Sequence, residues 1–179
     1  GAMGHTQFIP TSFADYAVDF TGDGRRDIWA DDPADALAST ANYLARFGWE
    51  RGAPAAVRVR LPQGFDHALA GQSGARPTAE WRRLGVAGLD GPLPGGKAAI
   101  LLPAGARGPA WAVYPNFRVI RRYNNATSYA LAVSMLAERI AGRGVPVAEL
   151  GWPRGERPLS RSETRSEERR VGKECTLRC

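Results

Sequence analysis

Only two of the 179 residues are cysteine, Cys175 and Cys179, and both stand at the very end. No disulfide framework therefore supports the body of the chain, and a cysteine-free body suits an oxidising compartment. Histidine is equally scarce. His5 reads as a surface or capping residue and His67 sits in a polar loop. No zinc-ligand spacing, no Ser/His/Asp arrangement and no phosphate loop occurs. No apolar run approaches the roughly 18 residues that would span a bilayer. The opening GAMGHTQFIP lacks the charged start and apolar core of a secretory signal. Charge of one sign is never blocked: 24 basic and 18 acidic residues are interspersed, for a net charge of +6. Without an aromatic-interleaved basic stripe, nucleic acid is not the expected partner.

What is present is enough apolar sequence for one ordinary domain with a small inserted lobe. Thr11 or Ser12 can cap a short helix through Ala17, with Asp15 near its positive end. Asp32 and Pro33 open a second helix, ADALASTANYLARF, that stops at Gly48. Leu37, Ala41, Leu44 and Phe47 recur at helical spacing, which predicts that they form its buried face. After Trp49 the grammar changes to short strands: AVRVRLP alternates Val57, Val59 and Leu61 with arginines, and AAILLPA and AWAVYP follow. TAEWRRLG is a helical piece among them. Helical period returns in TSYALAVSMLAERIAGRG, where Tyr129, Val133, Leu136 and Ile140 share a face. The expected organisation is α+β: a helical core segment over residues 1–50, a small antiparallel β lobe over 51–115, a return to the core over 116–144, a Pro/Gly/Arg-rich linker over 145–164 and a non-native tail over 165–179.

Between the first two helices lies DFTGDGRRDIWADDPAD. Asp19, Thr21 and Asp23 alternate, Gly24 stands sixth and Asp27 ninth, as in an EF-hand-like loop. Calcium takes six to eight oxygens, and carboxylates separated by one residue converge from a tight turn. The twelfth position, where a bidentate Glu normally closes the cage, is Ala30. Asp35, on the following helix, is the best-placed replacement, and Arg25 can add a carbonyl. The other reading is an Asp/Gly-rich turn with solvated carboxylates. A second constellation, RYNNATSY, sets Tyr123 and Tyr129 beside Asn124 and Asn125, either as flat faces for sugar rings or as a polar helix entry. A third is GAMGHTQFIPTS, with Gln7 beside Phe8.

Taken in order, GAMGHTQFIPTS, AVDFTGDGRRDIW, DALASTANYLARFGW and NNATSYALAVSMLAERIAG closely resemble the lytic murein transglycosylase B family, from Gly1 to about Arg143. The resemblance implies a lysozyme-like, goose-type-related catalytic core with a small β lobe and a calcium loop that closes on a later Asp, as Asp35 would. Extra residues around Ala30 and Asp31 precede that closure here. It implies cleavage of the β-1,4 bond between N-acetylmuramic acid and N-acetylglucosamine in peptidoglycan, with a 1,6-anhydro product and one Glu as acid and then base. That Glu belongs to an ES-type motif expected upstream of Gly1. Glu50, Glu80 and Glu138 stand in no matching context, so the chain is expected to carry the binding half of the site and to be inactive alone. The resemblance places Gln7 and Phe8 on the cleft floor, Tyr43 and Tyr123 against sugars, and Asn124 and Tyr129 beside them. It places structural Ca2+ on Asp19, Thr21, Asp23, the Arg25 carbonyl and Asp35. Glycan strands are the implied partner and the periplasm the implied location, with a monomer and a lipid anchor on a preceding segment. The competing expectation is a non-catalytic, calcium-dependent glycan-binding module.

Overall fold

Strand β5 (Ala110–Val113) is buried at every position, so no single-face alternation marks it. It is central in an antiparallel sheet of order β2-β4-β5-β1-β3, seen in a computed structural model that describes residues 1–153. Its partners are β1 (Ala56–Arg60) and β4 (Lys97–Leu101), with Val59 opposite Ala110 and Ile100 opposite Ala112. The short β2 (Arg76–Pro77) and β3 (Ala87–Gly88) form the edges. Successive side chains on a strand point to opposite faces, and both faces here are covered. Val59, Ala98, Ile100, Ala110 and Ala112 pack with Phe65, Val86 and Trp81 of α3 (Thr78–Arg83). Trp81 is fully buried and its indole N–H donates to the Ala98 carbonyl at 2.7 Å.

The opposite face, Ala99, Trp111 and Val113, packs on α4 (Pro115–Tyr123) and α5 (Thr127–Ile140) through Phe117, Ile120, Ala130 and Leu131. The helix α4 was not foreseen. Pro115 starts it at a position where a missing N–H costs nothing, and buried Asn116 fastens it to the chain beyond the second helix. The Asn116 amide donates to the carbonyls of Glu50 and Ala53, and its oxygen accepts the Glu50 N–H at 2.9 Å.

The first two helices form a separate cluster. α1 (Pro10–Tyr16) starts on Pro10 with no side-chain cap, which corrects the expected Thr11 or Ser12 cap. α2 (Ala34–Arg46) is preceded by Asp32, whose carboxylate accepts the Ala34 N–H at 3.0 Å. Its buried face is Ala36, Ser39 and Tyr43, and Leu37 is 67% exposed. α5 departs from expectation in the same way: Ala130, Leu131 and Ser134 are buried, whereas Leu136 and Ile140 are exposed at 57% and 80%. Both helices carry apolar residues around much of their circumference, so more than one face satisfies the period. Small residues win on α5, because Ala130 and Ser134 allow close approach to the sheet. The stretch expected as a linker begins with packed residues: Leu150 is buried and Trp152 lies 5.7 Å from Trp111. The expected tail over 165–179 lies outside the described residues.

Arg58 of β1 grips Asp90 with two bonds, Nε to Oδ2 at 2.9 Å and Nη2 to Oδ1 at 2.6 Å. The Arg58 bond holds the Asp90 carboxyl below its ordinary pKa, against the opposing effect of burial. The stabilisation is therefore present above the unfolded value of about 3.9 and is lost as pH falls through the folded value. With Asp90 46% exposed, solvent screening limits the pair. Asp90→Asn should cost at most about 1 kcal/mol at pH 7, and urea melts should show the gap to wild type closing in acid. Equal stability at pH 7 would show that the pair contributes nothing.

Candidate functional site

The acidic loop folds around its own backbone amides. Gly22 and Gly24 take positive φ of 77° and 85°, a region open to glycine at little cost. Asp19 then accepts the Gly22 N–H at 2.6 Å and the Gly24 N–H at 2.8 Å. Asp23 accepts the Arg25 N–H at 2.8 Å, and the Thr21 hydroxyl donates to Asp19 at 3.4 Å. Asp27, in the ninth place, instead accepts the N–H groups of Trp29 and Ala30.

Asp35 reaches back from the first turn of α2 and is 3% exposed. Its Oδ1 accepts from Phe20 at 2.9 Å and Thr21 at 3.1 Å, and its Oδ2 accepts from Asp27 at 2.9 Å. The Asp27 amide is the main reason its carboxyl stays below the usual range; burial opposes this, and the Thr21 and Phe20 amides add to it. Carboxylate oxygens of Asp19, Asp23 and Asp35 lie within 4.8 Å of one another. Hard, all-oxygen donors this close suit a calcium-type cation.

The opening loop docks on the far end of the same turn. Met3 and Phe8 exchange backbone bonds of 2.8 and 3.1 Å, closing residues 3–8 into a hairpin. His5 donates its amide to the Ile28 carbonyl at 2.8 Å, and its ring Nε2 lies 3.1 Å from the Ala30 carbonyl. Gly4, at φ 59°, sits so close that an added Cβ would lie 2.5 Å from the Ile28 oxygen. Gln7 has φ 52°, the one positive value outside glycine among the described residues. Its side-chain amide and backbone N–H both donate to the Gly4 carbonyl, at 2.8 and 3.2 Å. Strain of this kind, held by its surroundings, concentrates at functional sites.

Beneath this hairpin the rings of Phe8, Tyr16, Tyr43, Phe47 and Tyr123 meet. Tyr43 lies 5.8 Å from Phe8 and 5.0 Å from Tyr123, edge-on to the latter. The Tyr123 hydroxyl donates to the Thr6 carbonyl, and the Tyr43 hydroxyl to the Arg122 carbonyl at 3.0 Å. Burial raises the pKa of both phenols, so both remain neutral donors. The expected residues are thus only partly united. Phe8 and Tyr43 are wall residues at 3% and 8% exposure, and Tyr43 offers no open ring face. Tyr123 is half-buried, while Asn124 is exposed and its side chain accepts the Ala126 N–H at the start of α5. Tyr129 is 37% exposed and stands outside the ring cluster. Phe47, expected on the buried face of α2, stands one turn after Tyr43, whereas Tyr16, at the end of α1, was not foreseen beside it.

Residues 1–138 match the family described as Transglycosylase SLT domain. The chain belongs to the lytic murein transglycosylase B family. Over 150 residues it is 39% identical to the membrane-bound lytic murein transglycosylase B of Escherichia coli (strain K12), covering 79% of this chain and 38% of that protein. It is similar in structure to SltB3 from Pseudomonas aeruginosa in complex with NAG-anhNAM-pentapeptide, with 55% identity and a TM-score of 0.82, over 90% of this chain and 44% of the other. The Escherichia coli lytic transglycosylase Slt35 in complex with calcium is 36% identical at a TM-score of 0.64, over 79% and 44%. The chain therefore spans less than half the length of these relatives.

This member of the family has one fully shielded carboxylate among its described residues, Asp35. Glu80 and Glu138 are ion-paired with Arg76 and Arg143, and Glu50 is exposed. A general acid needs a carboxyl whose pKa is raised; Asp35 is shifted the opposite way.

Two substitutions separate the anchors. Gly4→Ala combines a disfavoured φ with a backbone clash and should destabilise strongly, read as a lower melting temperature. Tyr123→Phe loses the bond to Thr6 and should cost about 0.5–1.5 kcal/mol, with faster amide exchange confined to residues 3–8. Unchanged exchange there would show that the Tyr123 hydroxyl does not hold the hairpin.

Proposed function

We propose that the protein is a peptidoglycan lytic transglycosylase, cleaving the MurNAc-β-1,4-GlcNAc bond and closing a 1,6-anhydro ring on MurNAc. The carrying observation is the convergence of the Gln7 hairpin, the Tyr123 hydroxyl and the acidic loop on one aromatic cluster, in a chain of this family. In the reaction a neutral carboxyl gives its proton to the departing glycosidic oxygen. The resulting carboxylate then takes the proton of the muramyl 6-hydroxyl as that oxygen bonds to the anomeric carbon, so no water is consumed. We assign that carboxyl to a Glu outside residues 1–179, in keeping with the lowered pKa of Asp35 and the pairing or exposure of the other acids.

The residues of this chain then hold sugar and cation. Gln7, Phe8 and Tyr123 shape the floor, Tyr43 supports it from below, and Asn124 and Tyr129 lie at its rim. Asp19, Asp23 and Asp35, with Thr21 and the Arg25 carbonyl, would hold calcium, whose charge would offset the repulsion of three clustered carboxylates. In keeping with this activity we place the protein in the periplasm, as a monomer with a lysozyme-like helical core and a membrane anchor outside these residues.

Purified sacculi test the assignment of the acid. The chain should bind them and release no anhydro-muropeptides; release would show that an acid within residues 1–179 suffices. Calcium tests the loop. At about 100 times its dissociation constant, an ion that binds only the folded state adds about 2.7 kcal/mol. Melting temperature should rise with calcium in the wild type and not in Asp19→Ala. A chain indifferent to calcium would overturn the ion assignment.

A further inference from the structure

A concavity lies away from the aromatic cluster, between the sheet and the start of α4. It encloses about 310 Å³, at the small end of the roughly 300–1,000 Å³ usual for ligand pockets. Ala99, Val113 and Phe117 form an apolar floor; Gln72, Lys97 and Arg118 supply free polar groups, and Tyr114 also lines it with its hydroxyl already donated to the Pro94 carbonyl. No carboxylate lines it. Ion pairs among the described residues join Arg58 to Asp90, Arg76 to Glu80 and Arg143 to Glu138, which leaves Lys97 and Arg118 unpaired there. The Gln72 oxygen accepts from Arg121, so its amide NH2 is the group left over. All three polar side chains therefore offer donors, two of them charged, and a partner must bring acceptors and negative charge.

One helix joins this pocket to the sugar-binding cluster. Pro115, Phe117 and Arg118 line the pocket, and Tyr123, at the other end of α4, meets Phe8 and Tyr43. Nine residues of helix put the two ends about 12 Å apart. An extended pentapeptide, such as the one on the ligand of SltB3, spans up to about 17 Å. A peptide attached to a sugar at Tyr123 can therefore carry its terminal carboxylate to Arg118, while the lactyl carboxylate of a peptide-free MurNAc stays at the sugar itself. We propose that the pocket of Gln72, Lys97 and Arg118 binds a carboxylate of the peptide stem of peptidoglycan. This rests on the glycan-binding reading of the Tyr123 cluster.

The test is calorimetric titration of the full chain with GlcNAc–MurNAc-pentapeptide and with a bare GlcNAc–MurNAc whose lactyl carboxyl is capped as an amide. The peptide ligand should bind about tenfold tighter, and higher salt should shrink that advantage, since exposed charges are screened. The Lys97→Gln/Arg118→Gln variant should lose the advantage and keep its affinity for the bare disaccharide. Arg83→Gln, at an exposed position at the end of α3, should change neither. A pentapeptide with amidated carboxyls, which leaves the protein untouched, should bind like the bare disaccharide. Disaccharide binding with no peptide advantage, or an advantage that survives amidation or the double substitution, would overturn the pocket alone. Failure of both ligands to bind would overturn the glycan reading and the pocket with it.

Discussion

Asp35 is the point on which this half of the molecule turns. Its carboxylate is withdrawn from water, yet three amide donors from two separate places in the loop converge on it. An unpaired buried carboxylate would protonate or stay outside; with three donors, the charged form is favoured. One side chain thereby ties both ends of a long acidic turn to the first turn of α2. The same turn carries Ile28 and Ala30, whose carbonyls anchor His5 and against which Gly4 is pressed. The strained Gln7 hairpin and the aromatic cluster beneath it thus depend on a carboxylate lying well over twenty residues downstream.

The second constraint is α4. Asn116 pins its start to the chain after α2, Phe117 and Ile120 lie under the sheet, and Tyr123 ends in the aromatic cluster. Sheet and cluster are therefore coupled by a single short rod. A fold built this way holds the groups proposed to face the sugar on rigid elements, which is what precise positioning at a glycosidic bond requires. It also explains why residues far apart in sequence share one surface: the Tyr43 and Arg122 bond joins positions separated by 79 residues.

The features readable from the sequence were those set by local spacing. Asp19, Thr21, Asp23 and Gly24 announce the loop because alternating oxygens and glycine bend a chain within a few residues, and Asp35 follows from the missing Glu at Ala30. The strand at Val57 shows alternation with arginines, and those at Ile100 and Trp111 are short apolar runs between glycine and proline. What failed depended on partners. The faces of α2 and α5 were read only in part: Leu44, Phe47 and Val133 do pack inward, but Leu37 and Leu136 fit the period as well as Ala36 and Leu131 do, and only the neighbouring surface decides. α4 went unread because NFRVIRRY carries three arginines, so its few buried residues make sense only against the sheet. Tyr43 was recognisable as an aromatic of the site, but its burial behind Phe8 was not. The left-handed backbone at Gln7 leaves no mark in composition at all.

The role given to Asp35 is open to a direct measurement: its carboxyl ¹³C shift followed by NMR against pH in the presence of a calcium chelator, together with the amide shifts of Phe20, Thr21 and Asp27. The account predicts a midpoint below the ordinary carboxyl value of about 3.9, with all three amides moving along the same curve. An ordinary midpoint, or amides that ignore the titration, would contradict it.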